Sequence, residues 1–393
     1  MNKESIYNPK HYRKIVLILG LAGFVSAADN WFVSPSLSAI AASFGTSVAV
    51  IGIILTAYMI PYGLMQPVYG FFGDQRNKVK LLRMIVVGLA IGTAGSALSN
   101  SLIVLCILRV ITGFFAAGII ALSLSLIGDT VPDAEQQIYV GKFMGIVFTG
   151  QGLSAGLGGI LTRYVSWRGA FLFFAIFAVA AALLLQTLPS GSTEVHMQNQ
   201  NFFHQCKLAV LSPNGKVIFP LAFFAGLLLL GLYGYLGSLL NERTNLNYMQ
   251  SGIVVMFYGF ACLFGGSKIG KLANRFGRKK VVIVGECWAL ISAILLSCSY
   301  QIKNWPIALV ATICLGFGYI SVQSTLATMA LSVTGECRGL PSGLIGLGLF
   351  CGGGVGSIIG SRLLMLGTYQ TIWAAFGIAI ILLIIITGKL KLE

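Results

Sequence analysis

Charge is what this sequence has least of. Only 9% of its 393 residues are Asp, Glu, Lys or Arg, against roughly 25% in a soluble domain, which excludes an ordinary water-soluble globular protein. Histidine is scarcer still. His11, His196 and His204 all lie outside the apolar runs, and with no H-E-x-x-H pair or acid cluster to hold a metal or a hydrolytic water, neither an enzyme nor a metal or organic cofactor is expected. The ten-residue polarity alternation of a membrane β-barrel is missing too, since stretches such as 378–386 are continuously apolar. Helices remain as the way to satisfy backbone polar groups in lipid.

What is present is apolar and rich in glycine. Mean hydropathy is +0.87, 56% of residues are hydrophobic and 49 are Gly. Runs long enough to cross a ~30 Å hydrocarbon core predict twelve spans near 15–40, 48–72, 80–99, 102–127, 138–162, 169–188, 217–240, 249–271, 280–299, 305–332, 340–364 and 370–388. The first run is longer than a signal-peptide core and follows a polar segment, so it reads as a span with no cleavable signal. Eight cysteines without ligand spacing read as small apolar packing residues. The polar stretch 189–215 divides the spans six and six, predicting bundles at 1–188 and 216–393 joined by a linker.

A net charge of +15 would suggest nucleic acid in a soluble protein. Here its placement decides otherwise. Twenty of the 26 cations fall on the side of both termini and the central linker, five on the opposite side, and Arg109 on neither. By the positive-inside rule the termini and linker are cytoplasmic, and no nucleic-acid partner is implied.

The halves repeat. Gly70-Phe-Phe-Gly-Asp74-Gln-Arg-Asn77-Lys78 after span 2 matches Gly270-Lys-Leu-Ala-Asn274-Arg-Phe-Gly277-Arg278 after span 8, and the glycine-rich fifth and eleventh spans correspond at the same offset of 200 residues. Repeats of this kind point to two like bundles moving about a central site.

These residues resemble the major facilitator superfamily, and within it the twelve-span drug:proton antiporters. The loop pattern G-x-x-x-D-x-x-G-[RK] is met by Gly70, Asp74 and Lys78, with Asn77 where glycine is usual, and by Gly270, Gly277 and Arg278, with Asn274 at the acid position. Span 4 carries R-x-x-x-G as Arg109 and Gly113, and Trp167-Arg168 with Phe171 is similar to W-R-x-x-F. The fifth-span pattern G-P-x-x-G-G appears as Ser154-Ala155-Gly156-Leu157-Gly158-Gly159, without its proline. The resemblance implies an all-α membrane protein of twelve transmembrane helices in two pseudo-symmetric six-helix bundles. It also implies a proton-coupled secondary transporter that exports small hydrophobic or cationic compounds from the cell membrane and acts as a monomer. A sugar, amino-acid or other metabolite carrier of the same fold, importer or passive facilitator, is the alternative.

Asp29 is the sharpest residue. An acid within a span faces a cavity or a partner. At ~1.5 Å per residue it lies about 21 Å from one side and Arg109 about 10 Å from the other, so their depths nearly coincide in a ~30 Å core. In the resembled fold spans 1 and 4 line the cavity, which makes Asp29 the expected proton carrier and Arg109 its tuner. Glu286, in a peripheral span, is expected to snorkel or pair with a loop cation. Asn30, Trp31, Tyr58, Gln151, Tyr233, Tyr235, Tyr319 and Gln323 are expected to line the substrate cavity. The resemblance further implies that Gly70, Asp74, Lys78, Gly270, Gly277 and Arg278 form a conformational latch, Asp74 reaching the start of span 11 near Gly339 to Ser342. Gly265-Gly-Ser-Lys-Ile-Gly270-Lys271-Leu272 mimics a phosphate loop but has Leu272 where Ser or Thr is needed and no preceding strand.

Overall fold

The computed structural model describes residues 9–189, 201–330 and 339–390. Twelve helical segments there are long and apolar enough to cross a membrane. They are span 1 (Lys10–Trp31), span 2 (Val48–Gly73), span 3 (Lys78–Leu98), span 4 (Leu102–Thr130), span 5 (Ile138–Tyr164) and span 6 (Trp167–Gln186), then span 7 (Gly215–Arg243), span 8 (Tyr248–Gly266), span 9 (Arg278–Ile302), span 10 (Trp305–Ala330), span 11 (Leu340–Leu366) and span 12 (Tyr369–Lys389). Short polar caps set many of the boundaries. Asn77 accepts from the backbone N–H of Lys80 at 3.0 Å, Ser166 from that of Gly169 at 3.0 Å, and Asn247 with Gln250 forms a capping box. The Asn77 cap explains why asparagine serves at a position where the repeat's other copy has Gly277. That glycine sits at φ 91° between the helices Tyr248–Phe276 and Arg278–Ile302, a backbone state that side chains disfavour.

Span 1 is continued past a break at Phe32 by the helix Val33–Ser43, and span 7 breaks at Tyr235 before Leu236–Arg243. The two breaks fall at corresponding places of the repeat, and the two end helices pack on each other across the halves. Span 2 carries Pro61 and Pro67 and restarts at Gly52, and span 4 is interrupted at Ala117–Gly118. Irregular backbone at such depth is tolerated where neighbouring helices or a cavity cover it. The predicted linker contains a helix, Phe202–Leu211, whose Phe202 ring meets Phe71 at the end of span 2 with centroids 5.2 Å apart.

The two halves meet along two seams, span 2 against span 11 and span 5 against span 8. Glycine sets the approach. A Cβ on Gly252 would lie 2.9 Å from the Cα of Gly159, and one on Gly343 would lie 2.5 Å from the Cα of Pro67. Small residues at membrane helix contacts let backbones approach and replace the missing hydrophobic drive with dispersion. Large apolar side chains such as Leu98, Ile103 and Ile176 instead face outward, at 76%, 74% and 67% exposure, as lipid contact requires. Gly252→Leu should wedge the span 5/span 8 seam at a cost of about 1–3 kcal/mol; an unchanged melting temperature in detergent would show that the seam is not close-packed.

Candidate functional site

The first element of the site is a buried ion pair. Asp29 and Arg109 are both fully buried, and an Arg109 Nη1 donates to Asp29 Oδ2 while Nη2 donates to the Asp29 backbone carbonyl at 3.2 Å. Thr93 Oγ1, from span 3, donates to Asp29 Oδ1 at 2.9 Å. The guanidinium carbon sits 4.3 Å from the Tyr58 ring centre and 5.6 Å from that of Phe171, so ring faces complete the shell around the cation. Gly113, one turn beyond Arg109, lies against the backbone of Tyr58. That contact gives the R-x-x-x-G spacing a physical reason: without a side chain at 113, span 4 comes close enough to span 2 for Arg109 to rest on Tyr58.

The second element is a central cavity of about 180 Å³ between the halves. Six of the eight expected residues line it: Asn30, Trp31, Tyr58, Gln151, Tyr319 and Gln323. Its lining also takes Ser26, Tyr62, Gln66 and Phe350, and carries no charged side chain. Asp29 and Arg109 are not part of the lining; Tyr58 stands between the pair and the cavity, and its hydroxyl donates to the Ser26 carbonyl at 3.4 Å. Asn30 is 4% exposed and its Oδ1 has no hydrogen-bond partner among the described residues, which leaves an acceptor for a cavity occupant. Tyr62 and Gln66 had a legible signal, because with Tyr58 they recur every fourth residue on one face of span 2. Thr93 had none beyond being a hydroxyl in an apolar run.

Tyr233 and Tyr235 belong elsewhere. The Tyr233 hydroxyl donates to the Trp31 carbonyl at 2.7 Å, and its ring meets Trp31 at 4.4 Å and Tyr258 at 4.7 Å between centroids. The Tyr235 hydroxyl donates to the Ser357 carbonyl at 2.7 Å. Both sit at or next to the break in span 7, beyond the cavity, because a helix break turns side chains away from the periodic face. Around them the halves are tied together: Ser34 Oγ donates to the Tyr233 carbonyl at 3.0 Å, Gly237 N–H donates to Ser34 Oγ at 3.3 Å, Thr56 Oγ1 donates to the Gly354 carbonyl at 2.9 Å, and Ser361 donates to the Ala49 carbonyl. These bonds lie between mid-membrane and the side away from the termini, and they hold that side shut.

Four of the six expected latch residues have described surroundings. Lys78 Nζ is 2.5 Å from Asp129 Oδ2 at the end of span 4, a contact inside the first half. Gly70 is buried in its helix, and Gly277 is an exposed hinge between two helices. Arg278 opens span 9. The surroundings of Asp74, Gly270 and Gly339 lie outside the described residues. Glu286 does not snorkel: it is fully buried, Oε1 accepts from Thr387 Oγ1 of span 12 at 2.8 Å, and Oε2 has no partner among the described residues. Span 12 covers the position that a span-9 residue would need to reach water.

Twelve spans in two like halves, closed against each other on one side over a small central cavity, define a membrane transport protein. The comparisons agree. A family model described as Major Facilitator Superfamily matches residues 19–346 and 218–392, so the chain belongs to that superfamily. It is 23% identical to an uncharacterized MFS-type transporter, YwfA, of Bacillus subtilis, over 86% of this chain and 81% of that one. To the putative transporter AraJ of Escherichia coli it is 22% identical over 90% and 89%, and to the MFS antiporter QDR2 of Candida albicans 22% over 72% and 63%. Among solved structures, the nucleoside transporter NupG superposes with TM-score 0.77 at 14% identity, covering 96% of this chain and 100% of that one. An inward-facing, occupied bacterial homologue of the lysosomal transporter Spinster gives 0.75 at 16%, covering 97% and 96%. The chain is therefore a multi-pass membrane transporter with a small-molecule substrate.

Arg109→Leu strands a buried carboxylate and should destabilise by about 3–5 kcal/mol. Adding Asp29→Asn should recover part of that loss; a double variant whose melting temperature falls by the sum of the singles would show that the residues do not act as a pair. Glu286→Gln keeps an acceptor for Thr387 and should melt within about 1 kcal/mol of the parent, and a collapse of the folded yield would instead mark the ionised carboxylate, which an amide does not mimic, as structurally required.

Proposed function

We propose that the chain is a proton-coupled exporter of small hydrophobic or cationic compounds, working by alternating access in the cell membrane with both termini cytoplasmic. The observation that carries this reading is the fully buried Asp29–Arg109 pair standing one tyrosine ring away from a cavity that has aromatic, amide and apolar walls and no charge of its own. With Asp29 ionised, the pair is neutral and the cavity accepts a cation or an apolar ring on Trp31, Tyr58 and Tyr319. Protonation of Asp29 leaves Arg109 uncompensated. At roughly 8 Å and an effective dielectric of about 20, a cationic substrate is then disfavoured by about 2 kcal/mol, which makes proton and substrate compete for one carrier. Tyr58 touches both, so it transmits the change of charge to the cavity wall.

The closed side, away from the termini, is the external side under this orientation. Substrate enters from the cytoplasm, the halves rock about the two seams as 1–188 and 216–393 joined by 189–215, and external protonation releases the substrate. Asp74 is assigned the cytoplasmic latch, reaching toward the start of span 11 as the family resemblance implies, with Gly70, Lys78, Gly270, Gly277 and Arg278 shaping the loops. Each monomer is complete for this cycle. A family relative named as an antiporter lends support to exchange, while the names of others include a basic amino-acid transporter and a citrate exporter. A second reading has its own observation: the four amides Asn30, Gln66, Gln151 and Gln323 suit a neutral, hydroxyl-rich metabolite as well.

The test is uptake of a fluorescent lipophilic cation into proteoliposomes under an imposed pH gradient. Wild-type protein should accumulate the dye in step with the gradient, and Asp29→Asn should lose the dependence. Gradient-driven uptake that persists in Asp29→Asn refutes the proton role, and the absence of any dye transport by the wild type favours the metabolite reading.

A further inference from the structure

A groove of about 630 Å³ opens on the outside of the first half, between the starts of spans 1 and 5, with Leu263 of span 8 at its edge. It is separate from the central cavity, and its polarity is graded. Arg13 and Lys142 stand at the mouth, within the first turns of their spans on the side of the termini, while Leu17, Gly145 and Thr149 carry the wall inward. At ~1.5 Å per residue, Thr149 lies about 10 Å deeper than Lys142. Neither cation is in an ion pair among the described residues; Lys142 Nζ instead sits 4.7 Å over the Tyr139 ring. On span 5 the wall is bare at Gly145, where nothing lies within 4 Å of the place a Cβ would take, and Leu17, also in the lining, is 63% exposed.

We infer that this groove is a binding site for an anionic phospholipid of the leaflet on the side of the termini, its phosphate held by Arg13 and Lys142 and an acyl chain laid along Leu17 and the bare face at Gly145. Two cations at the boundary and an apolar wall beneath them match that ligand end for end. A free anion would leave the wall unused, and a soluble partner would have to enter hydrocarbon to reach it. Because span 1 and span 5 belong to one half and Leu263 to the other, the bound lipid bridges the seam and its fit depends on how the halves sit. The site also gives two of the cations that orient the chain a second use.

The experiment is native mass spectrometry of the full chain after equilibration with equimolar phosphatidylglycerol and phosphatidylcholine. Wild-type protein should retain phosphatidylglycerol in preference. Arg13→Gln with Lys142→Gln should weaken that retention roughly thirtyfold, each charge near the surface contributing a factor of about five. Gly145→Leu, which keeps both charges and fills open space, should also weaken it. The proposal is overturned if the double variant retains phosphatidylglycerol like wild type, if both lipids are held equally, if Gly145→Leu has no effect, or if inorganic phosphate alone displaces the lipid.

Discussion

The buried contact between Asp29 and Arg109 is the constraint around which the first half is organised. Ionised groups inside a bilayer are tolerated only when each supplies what the other lost on leaving water. Satisfying this pair takes five spans. Span 1 brings the carboxylate, span 4 the guanidinium, span 3 the hydroxyl of Thr93, and spans 2 and 6 the faces of Tyr58 and Phe171. Gly113 is bare so that spans 2 and 4 can close on it. Among the described residues, the second half has no equivalent, and its contribution to the cavity is Tyr319, Gln323, Phe350 and small or aliphatic neighbours. Two bundles alike in backbone are thus unlike in chemistry, one holding the titratable pair and the other a wall.

Between the halves the forces are of another kind. Glycine contacts such as Gly159 with Gly252 bring backbones together without interlocking large side chains, and dispersion over such a seam is lost gradually as it slides or tilts. The bonds at Ser34, Thr56 and Tyr233 are directional and sit to one side of mid-membrane. Interhelical hydrogen bonds in membranes average about 0.6 kcal/mol each, so a handful of them amounts to a few kcal/mol. That is enough to hold one face shut and small enough to be broken within a transport cycle. The weak, one-sided tie and the strong pair inside one half fit a machine whose bundles stay rigid while the seam between them opens.

Much of this was legible before any coordinates. Span number and the depth match of Asp29 with Arg109 follow from hydropathy and helical rise, quantities that a bilayer imposes on any chain; the repeat came from matching loop motifs, and most of the cavity aromatics from the family resemblance, which implies which spans line the cavity. Where the expectations departed from the structure, the cause was a local break or a competing partner. Tyr233 and Tyr235 were placed by a continuous helix that in fact stops at Tyr235. Glu286 was expected to snorkel or to pair with a loop cation because no sequence pattern shows that span 12 brings Thr387 over it.

The sequence by itself determined that the chain crosses a membrane twelve times in two repeated sets and that one acid and one base share a depth in the first. It could do so because lipid thickness, backbone hydrogen bonding and the cost of buried charge act on each segment separately. Only the tertiary structure decided that the pair is hidden behind Tyr58 rather than facing the cavity, that the halves are tied on the side away from the termini, and that a charged-mouthed groove flanks spans 1 and 5. Those features depend on rotation of each helix about its axis and on which neighbour fills a given space. Both are set by packing between segments hundreds of residues apart, about which the periodicity within a single segment carries no information.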